Sequence, residues 1–318
     1  MSPGGRGRLV RRGLGALLVA ATLLFLALAI GRNWNQISSY AWRIRPVELA
    51  ASVLLLIGAL AWGIFVWHRV LHRYEAPGLR FRSLLWVWFL SNLARYVPGK
   101  IWQFVGAVQL GRRAGVAPDV LLTSMLIHAG LTVVSAAMVS LLALPTLFDE
   151  LGPVAAGAVV AAGVGGLGLV HPGVLNWALR RVPSKLSTEG LTWNGSWWDG
   201  IVLLAMAVVA WLIYGAAFAV FADSIVGIPW SAVPALVAAN AFAFLVGYLL
   251  FTPGGLGTRE ATLALMVGPV GSLGVAALVA VGFRLWLILA EVAGAALAAA
   301  IPGAALPANP SGRHGRAR

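Results

Sequence analysis

Long apolar stretches separated by short polar ones dominate this chain. The apolar runs cover residues 13–30, 47–67, 84–110, 120–144, 153–170, 200–222, 231–267 and 273–301. A membrane-spanning helix needs about 20 predominantly apolar residues, so six of these eight runs predict single crossings. The other two do not fit one straight span. Run 84–110 is interrupted by Val97-Pro98-Gly99-Lys100. Run 231–267 is too long for an ordinary span and is interrupted by Thr252-Pro253-Gly254-Gly255-Leu256-Gly257. A Pro inside a helix removes a backbone donor, and the Gly residues that follow permit a sharp change of direction. Pro98, Gly99, Pro253, Gly254, Gly255 and Gly257 are therefore predicted helix breaks, each turning its run into a re-entrant hairpin.

Charge between the runs orients the prediction. Cytoplasmic loops carry the excess of Lys and Arg. Arg6, Arg8, Arg11 and Arg12 place the N-terminus in the cytoplasm, and Arg69, Arg73, Arg80 and Arg82 place the next basic loop there too. Arg112 and Arg113, beyond the first broken run, are equally basic, which returns that run to the side it came from. Asp149-Glu150 falls outside, Arg180, Arg181 and Lys185 inside, Asp223 outside, and Arg313, Arg316 and Arg318 inside. Arg32, Arg43 and Arg45 are the exception to this count.

The resulting fold class is an all-α polytopic membrane protein with six crossings and two re-entrant hairpins, arranged as an inverted repeat. Five segments follow: 1–46, a basic tail, first helix and loop; 47–145, the first repeat; 146–199, a connecting helix and cytoplasmic loop; 200–301, the second repeat; and 302–318, a disordered basic tail. The halves echo each other weakly. Phe89-Leu90 precedes Pro98-Gly99 at the same spacing as Phe244-Leu245 precedes Pro253-Gly254, and Ala61-Trp62 recurs as Ala210-Trp211. Interrupted helices paired in inverted repeats are a transporter architecture. Ala27-Leu28-Ala29 resembles a signal-peptide cleavage site, but the run is long for a signal and many spans follow, so an uncleaved first helix is favoured.

Composition narrows the chemistry. The chain has 318 residues, 60% hydrophobic and only 10% charged, against about 25% charged in soluble domains. It contains no Cys, which excludes disulfides, thiol catalysis and Cys-ligated metal. Its histidines (His68, His72, His128, His171, His314) form no metal-ligand set; His68 and His72 are read as membrane-surface residues beside Arg69 and Arg73. The net charge of +13 lies in loops and tails, where topology and anionic headgroups account for it, and no nucleic-acid motif is present. Neither cofactor nor metal is implied.

Both breaks carry ionisable residues. Asn92, Arg95, Lys100 and Gln103 flank the first, with Tyr96 and Trp102 beside them; Arg259 and Glu260 follow the second. Arg284 and Glu291 lie inside the last run, about two turns apart on roughly one face. Charges at membrane depth cost a few kcal/mol or more each and mark substrate paths or paired sites. Here four cations (Arg95, Lys100, Arg259, Arg284) face two anions (Glu260, Glu291), leaving about two positive charges. Helix N-termini restarting after the breaks would add partial positive charge. Such a surplus suits a phosphate-bearing headgroup, which Arg binds bidentately. The bland alternative is that these charges only hold helices together. Gly163, Gly165, Gly166 and Gly168 read as close helix packing rather than a phosphate loop. His128 reads as a hydrogen-bonded interior residue, and the 193–198 stretch (Trp193-Asn194-Gly195-Ser196-Trp197-Trp198) as an interfacial belt.

At the two breaks the sequence resembles a known family. Asn92-Leu93-Ala94-Arg95-Tyr96-Val97-Pro98-Gly99-Lys100-Ile101-Trp102, followed by Gly111-Arg112-Arg113-Ala114-Gly115-Val116, is similar to the first signature of the lysylphosphatidylglycerol synthase transmembrane-region, or flippase-like, family. Thr252-Pro253-Gly254-Gly255-Leu256-Gly257-Thr258-Arg259-Glu260-Ala261 is similar to its second. The resemblance covers roughly residues 47–301. It implies a translocase of lipids or lipid-linked headgroups, with the family's charged residues beside the breaks mapping onto Arg95, Lys100, Arg259 and Glu260. The aminoacyl-transferring relatives carry a soluble synthetase domain after the membrane region. This chain instead runs into a short basic tail, so it is not expected to make lysyl-lipid itself.

The function expected from these readings is a plasma-membrane lipid translocase, not an enzyme, with both termini cytoplasmic. It would move a phosphate-bearing lipid, anionic or polyprenyl-phosphate-linked, through a cationic midplane cavity. Its substrate-binding residues would be Asn92, Arg95, Lys100, Gln103, Arg259, Glu260, Arg284 and Glu291, with no catalytic residue. A homo-oligomer is an open option. Two alternatives from other classes stand beside it: a polytopic lipid-dependent glycosyltransferase and a non-transporting scaffold of a cell-envelope assembly. Asp149, Glu150 and Asp223 are the only outward acidic candidates for the former.

Overall fold

A lipid environment offers no partner for backbone N–H and C=O groups, so a chain this apolar must satisfy them within helices. The computed structural model describes residues 28, 31–32, 34–40, 42, 44–74, 80–93, 101–113, 115–181, 192–250, 257–267 and 272–301. Among the described residues there is no strand, and eleven α-helices follow one another. They are α1 (Trp34–Ser39), α2 (Pro46–Leu71), α3 (Phe81–Leu93), α4 (Ile101–Arg113), α5 (Pro118–Ser140), α6 (Leu144–Leu169), α7 (Pro172–Leu179), α8 (Trp197–Val226), α9 (Val233–Leu249), α10 (Thr258–Val267) and α11 (Leu273–Ala300).

Several helices begin where local chemistry predicts. Pro46 opens α2 and Pro118 opens α5, each followed within a turn by an acid, Glu48 or Asp119. Proline is pre-set for a first helical position, and the acid complements the positive helix end. α6 is two helices joined at Gly152, whose φ of 78° few other residues adopt, with Pro153 restarting the second piece.

Among the described residues, six stretches are long and apolar enough to cross a membrane: Pro46–Tyr74, Pro118–Ala143, Gly152–Leu169, Trp197–Val226, Trp230–Leu249 and Leu273–Ala300. The chain is an all-α polytopic membrane protein. Five of these stretches coincide with predicted crossings. The sixth predicted crossing, 13–30, lies almost wholly outside the described residues, as does the tail 302–318. The remaining stretch, Trp230–Leu249, is the first arm of the second predicted hairpin.

Both broken runs fold back on themselves. α3 packs against α4, and α9 against α10. The hairpins are unequal. α3 and α4 have 13 residues each, about 20 Å at 1.5 Å per residue, so neither reaches across a hydrocarbon core of about 30 Å. α9 with its leading turn has 20 residues, while α10 has 10.

The chain forms two units. The first comprises Met1–Ala59, Val133–Gly166 and Val208–Leu289; the second comprises Leu60–Thr132, Leu167–Ala207 and Ala290–Arg318. Helices α2, α5, α6, α8 and α11 each give residues to both, while the hairpins are separated, α9–α10 in the first and α3–α4 in the second.

In the first unit, Ala136, Ala137 and Val139 of α5 pack with Trp211 of α8 and with Val237, Ala241 and Leu245 of α9. The contact is close because Gly215 lies against α9: a Cβ there would stand 2.8 Å from the Val237 Cα. At one end, Arg45 meets Asp223 at 2.8 Å and Glu48 at 3.4 Å, and its Nη2 donates to the Asp223 carbonyl. Arg45, an exception to the positive-inside count, is therefore neutralised on the side assigned to Asp223.

In the second unit, Ile64, Trp67 and Leu71 of α2 pack on Leu84, Val87 and Phe89 of α3, with Leu121 and Met125 of α5. Phe89 lies against Gly294 of α11, where a Cβ would collide with the ring. Arg73 pairs with Asp199 at the start of α8.

Candidate functional site

The second break delivers two charged residues to different partners within the first unit. Gly257 stands just before α10 with φ +85°, and its carbonyl accepts from Ala261 N at 2.8 Å, the first bond of the helix. Glu260 reaches back so that Oε2 accepts from Gly257 N at 2.6 Å, one half of a capping box. Its other oxygen lies 3.7 Å from Nε of Arg284 on α11, an ion pair longer than a hydrogen bond. Both members are buried, Glu260 at 5% exposure and Arg284 at 7%. Glu260 thus starts α10 and ties it to α11.

Arg259, one residue earlier, points elsewhere. Its Nη2 donates to the Tyr214 hydroxyl at 2.8 Å and to Oδ1 of Asn240 at 3.0 Å. The guanidinium carbon also lies 5.4 Å from the centroid of the Tyr214 ring. Asn240 is fully buried in α9, and its Nδ2 has no hydrogen-bond partner among the described residues. Every described partner of Arg259 is neutral, and among the described residues Nε and Nη1 carry no hydrogen bond. Arg259 and Arg284 with Glu260 leave this cluster at +1.

An aromatic wall backs the cluster. Trp211 and Tyr214 of α8 meet edge to face at 5.6 Å, Phe244 of α9 lies 4.8 Å from Trp211, and Tyr214 packs on Phe283 of α11 at 5.9 Å. Apolar rings around a guanidinium lower the local dielectric and strengthen whatever anion it meets.

The second unit holds a different arrangement. Asn92 of α3 donates to Oε1 of Glu291 at 3.2 Å, and both side chains are buried. Nearby elements carry a polar–aromatic set: Trp67 Nε1 donates to Ser124 Oγ at 3.0 Å, and His128 stacks on Trp88 at 5.2 Å with Nε2 3.2 Å from the Gly63 carbonyl oxygen. His128 is an interior, hydrogen-bonded residue. Among the described residues no cluster of His, Asp and Glu has the makings of a metal site.

The model of the lysylphosphatidylglycerol synthase TM region family matches residues 13–294 of the 318. The chain belongs to this family. Membership carries a membrane role connected with lipids. Among curated proteins, none matches the chain.

Against this family assignment, the predicted residues fall into three groups. Arg259, Glu260 and Arg284 are brought together in the first unit, with Gly257 at the start of α10. Asn92 and Glu291 meet in the second. Arg95, Lys100, Pro98, Gly99, Pro253, Gly254 and Gly255 lie outside the described residues, as does the side chain of Gln103. Arg284 lies beside Glu260, and Glu291 accepts from Asn92. Tyr214 and Asn240 were missed. Asn240 had a signal, being the lone polar side chain between Pro234 and Tyr248 of an apolar helix. Tyr214 had none, because a hydroxyl within an apolar run gives no hint of its partner.

The glycine-rich stretch and the tryptophan belt resolve unevenly. Gly166 lies against Val134, whereas Gly165 and Gly168 face open space. Trp193 is buried, while Trp197 and Trp198 are exposed.

Proposed function

We propose that this chain translocates a phosphate-bearing lipid headgroup across the membrane, with Arg259 as the residue that receives the phosphate. One observation carries the reading. Arg259 is held by two neutral oxygens, its sequence neighbour Glu260 is engaged with Arg284, and among the described residues the Nε and Nη1 donors carry no hydrogen bond. An arginine within an apolar helix assembly costs about 3 kcal/mol or more without a counter-charge. A phosphate supplies that charge and accepts charge-assisted hydrogen bonds from the remaining donors, Nε and Nη1.

The broken hairpins are read as inverted repeats whose movement exposes the headgroup first to one leaflet and then to the other, while the acyl chains stay in lipid. Glu260 and Arg284 hold α10 to α11 and act as positioning residues. Arg95 and Lys100, beside the first break in sequence, are taken as further cations for the headgroup.

The test is headgroup translocation in proteoliposomes with fluorescent phosphatidylglycerol, phosphatidylethanolamine and a polyprenyl phosphate, comparing the native chain with Arg259→Ala and Arg95→Ala/Arg259→Ala. Faster crossing of an anionic lipid, lost in variants that elute as the folded protein does, is the expected result. Equal crossing in the variants, or none with any lipid under varied gradients, would overturn the proposal and favour the enzyme or scaffold reading.

A further inference from the structure

A second place in the molecule has anion-binding chemistry, in the second unit. α7 follows α6 directly. The ring Nδ1 of His171 accepts from Gly173 N at 3.2 Å, capping α7, with Pro172 in its first turn. The helix is pinned down by Asn176, whose Oδ1 accepts from Trp193 N at 2.6 Å and whose Nδ2 donates to Trp193 O at 3.2 Å. Trp193 is buried beneath, its ring 6.4 Å from Tyr74, and Tyr74 donates to the Thr192 carbonyl. This short helix is therefore a fixed platform.

On the platform, Arg181 lies over the ring of Trp177, its guanidinium carbon 3.5 Å from the centroid. Gly173, Asn176, Trp177, Arg180 and Arg181 line an open depression of about 540 Å³. Both arginines are exposed, and among the described residues neither pairs with a carboxylate. Basic residues at the end of α7 complement its C-terminal carbonyls. That does not account for an indole stacked beneath one of them and left 59% exposed. Trp197 and Trp198, at the start of α8, are exposed as well, Trp198 at 70%. Exposed tryptophans at the end of a spanning helix mark the headgroup level of a bilayer. At that level the anion in supply is lipid phosphate.

We infer that the α7 platform is a binding site for an anionic phospholipid of the surrounding bilayer. The phosphate sits against the open edges of Arg180 and Arg181, and Trp177 covers the glycerol. Stacking holds the Arg181 plane in place beforehand, so its two outward N–H groups meet the phosphate without further ordering. The inference needs the membrane fold and the platform, and does not rest on the transport reading.

The experiment uses the full chain in nanodiscs containing dioleoylphosphatidylglycerol and dioleoylphosphatidylcholine, with retained lipid counted by native mass spectrometry after mild delipidation. Retained phosphatidylglycerol is expected in the native chain and in Arg259→Ala. Surface basic residues contribute about fivefold each to binding of anionic lipid, so Arg180→Gln/Arg181→Gln should weaken retention by on the order of 25-fold. Trp177→Leu should weaken it severalfold. Arg180→Lys/Arg181→Lys, which keeps charge and fold but loses the planar fork, should fall between. Arg112→Gln/Arg113→Gln removes the same charge elsewhere and should change retention less than twofold. Undiminished retention in the Gln pair, or equal loss from the Arg112/Arg113 pair, would sink the site. Displacement by inorganic phosphate at millimolar concentration would make it a free-anion site and overturn the lipid assignment.

Discussion

Arg259 and Arg284 illustrate how identical side chains acquire different tasks. Arg284 faces a carboxylate and is buried with it, so its charge is spent on holding α11 to α10. Arg259 is steered by a phenol and an amide, which orient it without neutralising it. That contrast makes Asn240→Asp a sharp test. A carboxylate placed beside Arg259 at hydrogen-bond distance cancels the charge while preserving the geometry. Asn240→Asp is expected to abolish anionic-headgroup crossing in the proteoliposome assay with little loss of folded protein. Arg259→Lys keeps the charge but not the fork. Losing one charge-assisted hydrogen bond, about 1.5–3 kcal/mol, should weaken apparent headgroup affinity by about 10- to 100-fold. Unchanged transport in Asn240→Asp would mean that Arg259 meets no anion.

At the scale of elements, the start of α10 is the critical joint. Glu260 caps the helix through Gly257 N and pairs with Arg284. Glu260→Gln keeps an acceptor for the cap but leaves Arg284 without its described carboxylate, which costs about 3–5 kcal/mol for a buried pair. A large fall in thermal midpoint is expected, with much of it recovered in Glu260→Gln/Arg284→Met, where both charges are gone. Additive losses in that double-mutant cycle would show that the pair is not coupled. Gly215→Ala probes the α8–α9 contact. Its Cβ would stand 2.6 Å from Val237 Cγ1 and 2.8 Å from the Val237 Cα, and the backbone atom cannot turn away, so about 1–3 kcal/mol of destabilisation is expected. A midpoint equal to that of the native chain would show that the two helices part freely.

For the whole molecule, the chain's lack of cysteine makes topology directly measurable. The charge pattern assigns Arg113 to the cytoplasm and the 223–230 segment to the exterior. Trp230→Cys, at an exposed position, should react with an impermeant maleimide in intact cells, and Arg113→Cys only after permeabilisation. Labelling of both from one side would remove the inverted repeat. The neutralisation of Arg45 by Asp223 and Glu48 already accounts for one residue that ran against the count.

The apolar runs, their Pro-Gly interruptions and the polytopic helical class were legible in the one-dimensional sequence. A bilayer requires each segment to satisfy its own backbone, so crossings and breaks are written in local composition. Five predicted crossings and the turn-back of both broken runs reappear as helices at nearly the same boundaries. The pairing of charges was not legible, because it depends on which helices meet. Glu291 meets Asn92 across 199 positions, and Arg259 meets Tyr214 across 45. Spacing along α11 places Arg284 and Glu291 on roughly one face but says nothing of Glu260 or Asn92, which come from other helices. Sequence alone determined that cations sit among membrane helices; only the tertiary structure decided that Arg284 has a carboxylate beside it while Arg259 is held by the neutral oxygens of Tyr214 and Asn240, because those partners come from other helices.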